Sequence, residues 1–193
     1  HNHGPARPEE HISRNNSDLR FETLSADIHR PFPEGVGGAR FFTPLHTNTW
    51  LTSVHLSRSC SATTFLLHLG QCEVAFGRPR VILIDNEMSV LNNNPSVLSA
   101  LETYCADKGI GIKRSAPYTH SQNGRAEKIG GRDFAEAITS MLRTAMLGNS
   151  YWPLGARHRA YVGKRIASPG LHGGITPWEN HFNQTPYLGD LRR

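Results

Sequence analysis

Cysteine is scarce in this sequence: Cys60, Cys72 and Cys105 are the only three. An odd number with no paired spacing argues against a disulfide framework and against a zinc knuckle, so no structural zinc is expected. Lysine is scarce as well, since only Lys108, Lys113, Lys128 and Lys164 contribute to the 21 basic residues and the rest are arginine. Long apolar runs are missing. None approaches the roughly 18 residues that a membrane-spanning helix needs, and no signal-peptide pattern is visible, so no membrane partner is expected. No internal repeat stands out. The first residue is His1 rather than Met, which suggests a piece of a longer chain.

What is present is a 193-residue chain with a formal charge of +5 and a pI near 9.4. That length suits one domain with tails. The planar donor fork of arginine suits phosphate, so a polyanion is a reasonable partner; on charge alone an inert basic surface is as good a reading.

Residues 1–20 are polar and contain Pro5, Pro8 and Asn15-Asn16-Ser17, the pattern of a disordered tail. The alternation from Phe21 to Ile28 predicts a strand, stopped by Pro31 and Pro33. After a glycine turn at Gly35 to Gly38, two further strands are expected over Arg40 to Leu45 and Leu51 to Leu56. Ser59 and Ser61 can cap a helix whose apolar residues are Phe65, Leu66, Leu69 and Val74, ended by Gly77. The run Arg80 to Ile84 reads as a strand covered on both faces. Leu91 to Pro95 reads as a loop, Ser96 to Gly109 as a helix, and Ile110 to Lys113 as a last short strand. A weaker helix is expected from Trp152 to Ile166, and residues 166–193, rich in Gly and Pro, as an irregular extension. This order of elements predicts an α/β sandwich around a mixed sheet over residues 21–165.

The stretch from Arg114 to Lys128 organises the rest. Pro117 forbids helix, Ser121, Asn123 and Gly124 favour a turn, and a helix is expected to begin near Arg125. Glu127 then falls in its first turn, where a carboxylate suits the unpaired N–H groups; taken alone it is an ordinary acid at a helix start. Ile129, Phe134, Ala137, Ile138, Met141, Leu142 and Ala145 form one apolar face of that helix, while Arg125, Lys128 and Arg132 form a separate basic stripe. Asp27 follows the first predicted strand and Asp85 the fourth. In α/β sheets the loops at strand ends converge on one rim, so three acids there can meet. Their mutual repulsion would be relieved by a divalent cation such as Mg²⁺, which takes carboxylates together with phosphate oxygens.

Ser115-Ala116-Pro117-Tyr118-Thr119, Gln122-Asn123-Gly124 and Ala126-Glu127 resemble the last-acid signature of retroelement integrases, most closely those of copia-type long-terminal-repeat retrotransposons. Asp27-Ile28-His29-Arg30-Pro31-Phe32-Pro33 resembles the first-acid motif and Ile84-Asp85-Asn86 the second. Tyr151-Trp152-Pro153 and Thr176-Pro177-Trp178-Glu179 resemble the segment beyond the catalytic domain. The resemblance covers most of residues 21–190. It implies a ribonuclease H-like fold with a mixed five-stranded sheet flanked by helices, with residues 21–165 as the catalytic domain. It also implies Asp27, Asp85 and Glu127 as catalytic and metal-binding residues for Mg²⁺ or Mn²⁺, and Arg125, Lys128 and Arg132 on phosphate. Tyr118, Gln122 and Asn123 would lie near the DNA end, although Tyr118 reads equally as a core residue and Asn123 more readily as a helix cap. The implied activity is DNA end processing and strand transfer in the nucleus, by a homo-oligomer acting on element ends and target DNA.

The chain departs from the family pattern where Glu87 follows Asp85-Asn86, where Arg30 replaces a common glycine, and at Gly130-Gly131 inside the predicted helix. A second expectation is therefore a remnant that binds nucleic acid without catalysis.

Overall fold

The computed structural model describes residues 20–26, 32–59, 61–84, 95–114, 133–168 and 170–189. In chain order the strands and α-helices are β1 (Arg20–Ala26), β2 (Phe41–Thr47), β3 (Thr52–Ser57), α1 (Ala62–Phe76), β4 (Arg78–Ile84), α2 (Pro95–Lys108), β5 (Gly111–Arg114), α3 (Asp133–Thr144), α4 (Trp152–Gly163) and α5 (Pro177–Phe182). The strands form one mixed five-stranded sheet in the order β3-β2-β1-β4-β5. β1, β2 and β3 pair antiparallel as a meander, whereas β1, β4 and β5 run parallel. This is the predicted mixed α/β sheet flanked by helices.

Each face of the sheet carries its own core. On one face Leu24, Leu45, Ile82 and Ile84 pack with Phe65, Leu69 and Cys72 of α1 and Leu101 and Cys105 of α2. On the other, Phe42 packs with Phe134 of α3 and with Ala156 and Ala160 of α4. Both faces lose their apolar surface to a helical layer, which is what makes the sandwich stable.

Local chemistry fixes the element ends. Ser61 caps α1 by accepting from the Thr64 amide at 3.2 Å, and Gly77 ends the helix at φ +90°, a backbone that favours glycine. The buried face of α1 is Phe65, His68, Leu69, Cys72 and Phe76, at helical spacing. Val74, one of the apolar residues of this helix, is 73% exposed, because a position two residues after Cys72 turns to the far side of a 3.6-residue helix. In α3, Phe134 and Leu142 are buried and Ala137, Ile138 and Met141 half-buried, while Ala145 lies beyond the last turn and is exposed.

The carboxy-terminal extension contains a short helix, α5, within residues read as irregular. Thr176 and Glu179 form a reciprocal capping box around Pro177. His181 docks this helix: Nε2 donates to the Phe76 carbonyl at 2.7 Å, which leaves Nδ1 to accept from the Thr49 hydroxyl at 2.6 Å.

Candidate active site

β1 ends at Ala26 and β4 at Ile84, and these two residues are register partners on adjacent parallel strands. Arg114, the last residue of β5, is in turn the register partner of Ile84. Three neighbouring strands thus finish at one rim of the sheet. The residues that follow Ala26 and Ile84 in the chain are Asp27 and Asp85. Both acids themselves lie outside the described residues, as do Tyr118, Gln122, Asn123, Arg125, Glu127, Lys128 and Arg132.

Those seven fall in residues 115–132, the stretch of sequence between β5 and α3. It leaves the sheet at Arg114 on the rim just described. It re-enters the described chain at α3, where the Phe134 ring stands 5.0 Å from that of Phe42. Because β2 is antiparallel to β1 and pairs Leu45 with Ala26, Phe42 lies three residues farther out in the direction in which β1 ends. The start of α3 therefore stands at the level of the same rim.

The chain that continues from β1 is fastened at this rim. The Phe32 amide donates to the Arg40 carbonyl at 2.7 Å, and the Gly35 amide donates to the Ala39 carbonyl at 2.8 Å. Gly37 and Gly38 take φ of +77° and +75°, which makes the tight return into β2 possible. Trp152, at the start of α4, donates Nε1–H to the Pro33 carbonyl at 3.0 Å. A Cβ at Gly35 would fall 2.4 Å from the Pro153 ring, so only glycine lets α4 approach this closely.

The perturbed titratable groups among the described residues sit on β3 and on α1, α2 and α5, not on the three strands that finish at the rim. Burial, and next the charge of His55, holds His68 down at about 3, a neutral ring whose Nε2 meets the Ser53 hydroxyl at 3.0 Å. Burial raises the Cys72 thiol to about 12 and Cys105 to about 11, which makes both poor nucleophiles. Glu73, between α1 and α2, accepts from the Tyr104 hydroxyl at 2.6 Å and from Lys108 Nζ at 2.8 Å. These arrangements, which sequence spacing did not single out, fasten helices rather than form a reaction centre. Among the described residues no group of three or more His, Cys, Asp or Glu side chains is placed to hold a metal ion. No helix among them is long and apolar enough to cross a membrane.

No protein-family model matches the chain. Over 67 residues, 35% of the chain, it is 36% identical to the retrovirus-related Pol polyprotein from transposon TNT 1-94 of Nicotiana tabacum, and it spans only 5% of that protein. Among solved structures it is similar to the simian T-cell lymphotropic virus intasome in complex with the PP2A regulatory subunit B56 gamma. That likeness has a TM-score of 0.65 at 16% identity and covers 88% of this chain and 56% of that one. It is also similar to the HTLV-2 integrase catalytic core domain in complex with magnesium. The trimeric form gives a TM-score of 0.62 at 14% identity over 84% of this chain and 97% of that one; the dimeric form gives 0.60 at 14% over 86% and 99%.

The fold is therefore the ribonuclease H-like sandwich of an integrase catalytic core. The sequence similarity to the transposon Pol polyprotein is confined to 67 residues, so the likeness to integrase cores is one of fold.

Proposed function

We propose that this chain is a polynucleotidyl transferase that processes DNA ends and joins them to target DNA at the rim where β1, β4 and β5 finish. The observation that carries the reading is the pairing of Ala26 with Ile84, since the next residue on each strand is an aspartate. Adjacent parallel strands lie about 4.8 Å apart, so the two chain positions that precede these aspartates, Ala26 and Ile84, are neighbours. Glu127 is at most about 20 Å of chain from Asp133, within reach of the same rim. Hard oxygen donors in this number fit Mg²⁺ or Mn²⁺. We assign Asp27, Asp85 and Glu127 as the ligands. A divalent cation held there supplies Lewis acidity to a phosphodiester and its attacking hydroxyl.

The protein's own part is positioning. Arg125, Lys128 and Arg132 neutralise backbone phosphates and set the register of the DNA, contacts that add affinity without reading sequence. Tyr118, Gln122 and Asn123 border the DNA end. The formal charge of +5 suits a polyanion. A structural neighbour is an intasome and another a core solved as trimer and dimer; a homo-oligomer is the corresponding assignment here, and the nucleus is assigned only because DNA is the proposed substrate. A second reading, a remnant that binds nucleic acid without catalysis, draws on Glu87 beside Asp85-Asn86 and on Gly130-Gly131 just upstream of α3.

A strand-transfer assay with a short processed duplex and Mg²⁺ or Mn²⁺ separates the two. The enzyme gives product that disappears in Asp85→Asn while DNA binding persists. The remnant gives no product in either protein, with binding equal in both.

A further inference from the structure

A cleft of about 720 Å³ opens between the 32–34 segment, α3 and the turn at 149–152. It starts at the rim, for one wall begins six residues after Ala26, and the α3 wall runs from Phe134 near the rim to Arg143 in the last turn of that helix. Its walls are aromatic: Phe32 and Trp152 stand 5.0 Å apart and inclined by 34°, and Phe42 meets Phe134 at 5.0 Å. Trp152 is held in place by its bond to the Pro33 carbonyl. The mouth is polar, with the Glu34 carboxylate, the Asn149 amide and the Arg143 guanidinium all exposed. A second guanidinium, that of Arg159, lies 5.8 Å from the Phe134 ring centre.

We propose that this cleft takes an unpaired nucleobase of a strand held at the rim, an inference that rests on the nucleic-acid reading above. The volume falls in the range of about 300–1,000 Å³ typical of small-molecule sites, far more than one aliphatic side chain needs. A nucleobase matches both halves of the site. Its π face meets the half-buried Phe32 and Trp152 rings, which stand over the buried Phe42–Phe134 pair, and its edge of donors and acceptors meets Glu34 and Asn149. Its phosphate meets Arg143. An apolar peptide side chain would match the walls alone and make no use of the polar mouth. Stacking of this kind is tolerant of base identity.

The test measures binding of the whole chain, by fluorescence anisotropy at low salt and without metal, to three DNAs: a short thymidine strand, an abasic sugar-phosphate strand of equal length, and a blunt duplex. The base-bearing strand is expected to bind at least about fivefold tighter than the abasic strand. Ala135→Trp and Thr139→Trp, two exposed positions on the α3 wall, each fill the cleft and are expected to bring that ratio below about twofold with duplex affinity unchanged. Their thermal midpoints report folding. Quenching of tryptophan fluorescence by the thymidine strand, lost in Trp152→Phe, gives a readout that needs no filled cleft. Equal affinity for abasic and base-bearing strands, or a ratio that survives in both filled variants, overturns the cleft assignment and leaves the DNA reading intact. Thymidine monophosphate bound as tightly as the strand overturns the strand assignment in favour of a free nucleotide. Failure of all three DNAs to bind overturns both readings.

Discussion

Ala26 and Ile84 stand opposite one another as the last residues of two adjacent parallel strands, each 4% exposed. Side-chain packing fixes this pairing, because a slip of one residue would turn the buried set of β4 toward the other face. The register therefore decides that β1 and β4 end level with one another, at Ala26 and Ile84, rather than one residue out of step.

The strands beneath the rim should be sensitive to cavities. Ile82 is 1% exposed and sits two residues before the end of β4. Ile82→Ala is expected to cost about 2–5 kcal/mol. Urea unfolding should show a lower midpoint at an unchanged slope.

Acid should weaken the fold through His68. Its folded pKa of about 3 lies below the ordinary 6.5, so below pH 6.5 the unfolded chain binds the proton that the folded chain refuses. Above pH 6.5 this group makes no difference to stability. As pH falls toward about 3 the loss grows by up to about 1.4 kcal/mol per pH unit and then levels off. Burial lowers His55 and His181 as well, which adds to the same trend. His68→Gln, which keeps a partner for Ser53 and cannot titrate, should flatten the profile when unfolding is followed between pH 4 and 7.

The joint between α1 and α2 depends on one carboxylate. Glu73 is paired with Lys108 at 2.8 Å and Arg78 at 3.7 Å, and its side chain is 12% exposed. Glu73→Gln leaves two partly buried cations without their counter-charge. A loss of about 1–3 kcal/mol is expected in the same urea experiment, and an equal midpoint in mutant and wild type would refute this role.

His181 is expected to act as the peg of the carboxy-terminal helix. His181→Ala removes both the bond to the Phe76 carbonyl and the one to Thr49. Amide exchange across residues 176–182 should accelerate well beyond that of β4. Uniform protection in mutant and wild type would show that α5 is held by other contacts.

Much of the scaffold is legible from residue pattern. The run Val81 to Ile84 announces a central strand, Ser61 and Gly77 bracket α1, and Gly109 closes α2 at φ +65°. The mismatches have local causes. Val74 is apolar yet projects outward, since apolarity without helical phase does not place a residue in a core. Thr176-Pro177-Trp178-Glu179 carries a full capping-box signal, but glycines and prolines on both sides dominate the composition of that stretch. The rim is legible only in part: apolar runs locate the ends of β1 and β4, whereas their register depends on pairing between residues far apart in the chain. The aromatic cleft joins Phe32 to Trp152, and no short motif encodes a contact across such a distance.

Calorimetric titration of Mn²⁺ into the wild-type chain and into Asp27→Asn, Asp85→Asn and Glu127→Gln tests most directly whether these three acids share one cation site. Saturable binding in the wild type, weakened at least tenfold by each substitution at unchanged thermal midpoint, is the predicted result. Wild-type affinity in any one of the three folded variants would contradict it.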